Sequence, residues 1–125
     1  MRTIKFRGKR LDNMEWVVGS LLQDDYGTCM IVEFADHHEQ WHEVAPKTVG
    51  QYTELKDNNG REIYEGDIIR CKRKELFKVV WSGVGFLLEG IDYHGTADIM
   101  AFLTQEIEVI GNAHDNLELL KGGEQ

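Results

Sequence analysis

Apolar and polar positions alternate over short runs along this chain, and the runs are separated by clusters of Asp, Asn, Gly and Ser. Ile4, Phe6 and Gly8 alternate with Lys5, Arg7 and Lys9, which predicts a first strand with one basic face. Residues 15–22 and 28–34 read as a second and a third strand, with turns at 11–14 and 23–27. The polar run 35–40 reads as a loop and 41–45 as a short strand ended by Pro46. Residues 48–53 read as extended chain or a single turn.

The clearest reversal follows. Asp57-Asn58-Asn59-Gly60 combines residues that bond their own backbone or tolerate positive φ, and it predicts a tight turn with Gly60 left-handed. A second turn, Glu65-Gly66-Asp67, feeds 68–72, where Ile69 and Cys71 take one face and Arg70 and Lys72 the other. Phe77, Val79 and Trp81 share a face of 76–81, and Ser82-Gly83-Val84-Gly85 returns the chain into 86–88 as a hairpin. Residues 90–95 read as a loop, 98–103 fit a helical turn or a strand, and 106–110 alternate with Ile107 and Val109 inward. Asn116 is placed to cap a last helical turn over 117–120, stopped by Gly122-Gly123. No internal repeat or low-complexity tract is visible.

The pattern predicts an all-β, β-rich fold with at most short helical turns. A single domain of 125 residues is expected, built as an N-terminal antiparallel meander (1–56) packed on a C-terminal small SH3-like barrel (57–125). The hydrophobic share of 42% suffices for a packed interior, and the one Pro excludes a Pro-rich disordered chain.

The central stretch also carries a resemblance. Thr48-Val49-Gly50-Gln51-Tyr52-Thr53, then Leu55-Lys56-Asp57 with Gly60, then Ile63-Tyr64-Glu65-Gly66-Asp67-Ile68 resemble the core signature of the YopX family of phage and prophage proteins. Phe6-Arg7-Gly8-Lys9, Trp16-Val17 with Gly19, Trp41 with Glu43-Val44, and Ile107 to Asn112 followed by Leu117-Glu118-Leu119-Leu120 sit where that family has similar pieces. Glu54 departs from the pattern, which usually has Gly there, and Ala113 replaces a larger apolar residue. The resemblance implies a β-rich fold and a viral origin, and no known activity. Gly50, Asp57, Gly60, Gly66 and Asp67 are then its turn and motif residues.

The formal net charge is −8, which disfavours non-specific binding to nucleic acid or anionic membrane. No run approaches the length of a membrane span, and no apolar leader follows Met1. The protein is expected in the cytoplasm of a bacterial host. Cys29 and Cys71 lie in apolar runs and read as two buried thiols.

One motif bears directly on chemistry. His38-Glu39-Gln40-Trp41-His42 satisfies the H-E-x-x-H pattern, in which a helix brings both imidazoles to one zinc and the Glu serves as base. Pro46 follows too soon for that helix, and an extended strand sets residues i and i+4 roughly 13 Å apart. His38 and His42 are therefore only a remote metal pair, and no catalytic residue, metal or cofactor is expected. Lys5, Arg7, Lys9, Arg70 and Lys72 form a candidate nucleic-acid contact set, set against the plainer expectation that they face carboxylates across strands. The sequence reading is a non-enzymatic protein that binds a protein, either a second copy or a host or phage factor. Trp41, Tyr52 and Tyr64 are its candidate interface aromatics. The alternatives are a nucleic-acid-binding module and, remotely, a zinc hydrolase.

Overall fold

The computed structural model describes residues 4–71, 75–91, 96–98 and 107–121. In order they form β1 (Phe6–Lys9), β2 (Trp16–Gln23), β3 (Cys29–Ala35), β4 (His38–Val44), a 3-10 turn at Pro46–Thr48, β5 (Gly50–Lys56), β6 (Glu62–Tyr64), β7 (Asp67–Cys71), β8 (Leu76–Trp81), β9 (Phe86–Gly90), β10 (Thr96–Asp98), β11 (Ile107–Asn112) and a last 3-10 turn at Leu117–Lys121. The fold is all-β, built of antiparallel sheets, and helical among the described residues only in 3-10 turns. Two compact units divide at Glu54 and Leu55.

In the first unit the strands stand in the order β4-β3-β2-β1-β5. Each strand from β2 to β4 pairs antiparallel with its predecessor, and β5 returns to the free side of β1, with Arg7 opposite Gly50. One corner is drawn in: Arg10 bridges Val44, and the Leu11 amide donates to the Glu43 carbonyl at 3.0 Å. Inside lie Cys29, Ile31 and Val44, with Phe6, Val17, Leu21 and Val49 packed on them. Gly19 permits the close approach of β2 and β3, since a Cβ there would collide with the Val32 carbonyl oxygen.

The loop expected at 35–40 is shorter than its polarity suggests. β3 continues to Ala35, which pairs with His38, and only Asp36 and His37 turn the chain. Their φ values of 53° and 65° make a two-residue turn of the type that matches strand twist. Asp and His enter the left-handed region more readily than most residues, so the hairpin forms without the Asn-Gly pair that would announce it. The extended reading of 48–53 corresponds to β5, which begins at Gly50.

In the second unit the order is β10-β9-β8-β7-β11. This repeats the order of the first unit: a meander of four strands whose fifth returns to its first. The sequence shows no repeat because the two sets of strands share an order in the sheet, not residues. Residues 99–106, between the fourth and fifth strands, lie outside the described residues, and strand order alone does not make this unit an SH3-like barrel. Of the 98–103 segment only Asp98, the end of β10, is among the described residues, and most of the 90–95 loop falls outside them, although β9 itself runs on to Gly90. The interior gathers Ile63, Ile69, Cys71, Phe77, Val79, Leu88, Ile107 and Val109. Ile68 and Ile69 are both fully buried, so β7 is covered on both faces at its start, and alternation returns only at the exposed Arg70.

The last turn differs from expectation in its capping. The Asn116 amide oxygen accepts from the Asn112 amide at 3.1 Å, so this side chain closes the turn after β11 instead of capping the 3-10 segment.

Candidate interaction surface

Strand alternation puts Lys5, Arg7 and Lys9 on the outer side of the first sheet. Arg7 stands opposite Val18 and Lys9 opposite Trp16, while the Tyr52 amide donates to the Lys5 carbonyl. The cations lie over aromatic rings. Lys5 Nζ is 4.8 Å from the Tyr52 ring centroid, the Arg7 guanidinium carbon 4.6 Å from Trp16, and Lys9 Nζ 5.6 Å from Trp16. Long basic stems cover apolar ring surface while their charge stays at the ring face.

The same side continues across the neighbouring strands as an apolar run. Leu22 pairs with Met30, Val32 with Trp41, and Phe34 with Glu39. Phe34 is 70% exposed, Trp41 52%, Leu22 45% and Val18 39%. Glu39 and Glu43 flank Trp41 on β4, and the indole N–H donates to Glu39 Oε1 at 3.2 Å. Sequence reasoning singled out Trp41 but missed Val18, Leu22 and Phe34. The available signal was parity: through the strand register these positions share the side of the basic residues.

Of the other candidate aromatics, Tyr52 and Tyr64 are buried, and the Tyr64 hydroxyl donates to Glu62 Oε1 at 2.9 Å. Trp41 is thus the member of that set that offers its ring to solvent. Arg70 belongs to the second unit, where its guanidinium meets Glu108 at 2.7 Å with both side chains about half exposed. Lys72 lies outside the described residues.

The H-E-x-x-H residues lie within strand β4, so His38 and His42 are four residues apart on extended chain, roughly 13 Å at the usual rise. His42 Nε2 instead meets Glu33 Oε1 at 3.2 Å. Among the described residues, no group of three or more His, Cys, Asp or Glu side chains is placed to hold a metal ion. Cys29 and Cys71 are buried free thiols. No helix among the described residues is long and apolar enough to cross a membrane.

The motif residues of the centre are structural in their contacts. Gly50 is buried opposite Arg7. Asp57 Oδ1 accepts the Asn59 and Arg61 amides and Oδ2 accepts the Val109 amide, all at 2.9 Å. Burial alone would raise the Asp57 pKa. The amides of Val109, Arg61 and Asn59, with the Arg61 charge, outweigh it and hold the carboxyl below its ordinary value. Gly60 and Gly66 take φ of 81° and 94°. The Gly66 amide donates to the Val79 carbonyl, and the Gly66 carbonyl accepts from Ala113, each at 2.8 Å. Asp67, 1% exposed, accepts the Tyr64 amide at 2.7 Å.

The family model described as YopX protein matches residues 5–121. The chain belongs to the YopX family. Its structure is similar to the crystal structure of protein EF1440 from Enterococcus faecalis, with 24% sequence identity and a TM-score of 0.62, covering 96% of this chain and 99% of that one. This likeness shows a shared fold over nearly the whole of both chains. No curated protein matches the chain. In YopX terms, the central signature is a pair of turns fastened by Asp57 and Asp67. Glu54, where the family pattern usually has Gly, holds a φ of 74°, a left-handed conformation that Gly adopts without strain.

Proposed function

We propose that this YopX chain is a non-catalytic, phage-type protein that acts in the host cytoplasm by binding another protein through the outer side of its first unit. The observation that carries this reading is the exposure of Val18, Leu22, Phe34 and Trp41 on adjacent strands of one sheet. A large apolar run bordered by charge is how interaction sites differ from ordinary surface, and Phe and Trp are among the side chains that anchor interfaces.

Nucleic-acid binding is the second reading, favoured by the basic–aromatic arrangement of β1. Against it, cations already lie over the Trp16 and Tyr52 rings on which bases would stack, and the chain carries a net charge of −8. A zinc hydrolase draws no support from the extended chain at His38 and His42.

The test is retention of proteins from host lysate by the tagged chain, with and without nuclease, beside a Phe34→Ser/Trp41→Ala variant. Nuclease-resistant retention of a protein, a second copy of this chain included, that the variant loses is the expected result. Retention that requires intact nucleic acid favours the second reading. Equal retention by the variant, or none by the natural chain, overturns the proposal.

A further inference from the structure

Resting on the reading that this chain binds a protein, we infer that the partner is an extended, basic segment of another protein, which joins the free edge of β4 as an added antiparallel strand. β4 is the last strand of its sheet. Ala35 and His38 close a two-residue turn, so by alternation His38, Gln40, His42 and Val44 aim their backbone groups at β3. Glu39, Trp41 and Glu43 aim theirs the other way. The chain itself already pairs with one end of that outward row. The Leu11 amide donates to the Glu43 carbonyl at 3.0 Å, the Ala45 amide donates to the Lys9 carbonyl at 2.9 Å, and Arg10 bridges Val44 in the antiparallel sense. Residues 11–13 then turn back towards β2. The next groups in the row, the amides and carbonyls of Glu39 and Trp41, meet no backbone partner among the described residues. Residues 38–41 are exposed.

A row of alternating backbone donors and acceptors is matched by extended backbone. The side chains beside the row set the charge of that backbone's owner. Glu39 and Glu43 flank Trp41 on one side of β4, Glu33 stands opposite Gln40 on the other, and Asp36 sits in the adjoining turn. β4 holds no Lys or Arg, so pairing it with a second copy of itself supplies no such cation opposite Glu39. Opposite charges directly across a strand pair stabilise it, and like charges oppose it. A segment that continues the pairing begun by Lys9 to Leu11 thus sets an apolar residue opposite Trp41 and, two residues later, Lys or Arg opposite Glu39. The β1 cations, which lie over Tyr52 and Trp16, take no part.

Nuclear magnetic resonance of the isotope-labelled full chain, titrated with the synthetic octapeptide Ser-Thr-Thr-Val-Thr-Lys-Thr-Ser, tests the inference. The peptide is expected to shift the Glu39 and Trp41 amide signals and to slow hydrogen exchange at those two amides. Replacing its Lys by Glu should weaken binding by about threefold or more. Methylating the backbone nitrogen of its Val, which removes the N–H that the Trp41 carbonyl accepts, should abolish binding. Glu39→Lys in the protein should reverse the preference, so that the Glu peptide binds better than the Lys peptide. Circular dichroism checks that this variant folds. If it does not, Glu39→Gln replaces it and must bind the two peptides alike. No binding of the Lys peptide, shifts that leave both edge amides untouched, or a preference that Glu39 does not control overturns the inference. Edge amides already protected in a peptide-free dimer, detected by sedimentation velocity, would give the edge to a second copy and overturn it too. A lysate protein held through Phe34 and Trp41 that leaves the Glu39 and Trp41 amides unprotected would end this inference and leave the binding proposal standing.

Discussion

The carboxylate of Asp57 accepts the backbone amide of Val109, 52 residues further along the chain, at 2.9 Å. Its other oxygen accepts Asn59 and Arg61, so one side chain shapes the turn after β5 and fastens it to β11. Asn58 reinforces the contact, since its side-chain oxygen accepts the Ile107 amide at 3.2 Å and its amide donates to the Ile107 carbonyl at 3.1 Å. Removing a charged acceptor that leaves buried amides unmatched costs about 2–4 kcal/mol in total. Asp57→Ala is expected to lose stability in that range in urea unfolding, with β11 becoming the region least protected in hydrogen exchange.

Acid should act through the same group. The folded pKa of Asp57 lies below its ordinary 3.8, so on lowering the pH the unfolded chain takes up the proton first. The stabilisation is complete above the ordinary value and is lost as the pH falls through the folded one. Unfolding free energy measured from pH 6 down to pH 2 is expected to decline through the low end of that range, and Asp57→Asn should flatten the decline. The slope will not vanish, because the Asp24 carboxyl is also held low, by the amides of Thr28 and Tyr26.

The β3–β4 turn offers a gain in place of a loss. Asp36 and His37 both hold positive φ, a conformation that costs roughly 1 kcal/mol for a residue with a Cβ. Asp36→Asn/His37→Gly should therefore raise stability by about 1 kcal/mol. An unchanged or lowered melting temperature would show that the native pair is not strained.

Zinc gives a fourth check. Because His38 and His42 lie apart on one strand, zinc added to the chelator-treated protein is expected to leave the melting temperature unchanged, and Glu39→Gln should behave like the natural chain. Stoichiometric zinc that survives dialysis would contradict the strand geometry.

The fold was legible wherever local chemistry decides the backbone. Asn59-Gly60 and Gly66-Asp67 turn where the residues say, and Ser82 to Gly85 joins two strands whose burial follows their alternation. It was illegible where distant partners decide. Polarity at 35–40 hid a two-residue turn because exposed edge strand and loop have the same composition. Asn116 looks like a helix cap until Asn112 is placed beside it. Arg7 and Lys9 were legible as a basic face, and only the pairing of β1 with β2 reveals Trp16 beneath them. The shared strand order of the two units left no trace as repeated residues. The apolar outer positions were visible singly, yet their adjacency depends on register, which a single sequence does not fix.

The three tryptophans sit in surroundings different enough to serve as native optical reporters. Trp16 is overlaid by two cations, Trp41 stands half in water on β4, and Trp81 meets Phe86 edge-on with ring centroids 4.9 Å apart. Emission and quenching of single-tryptophan versions would thus follow β2, β4 and β8 one at a time, with no dye attached and no foreign label on the surface under study.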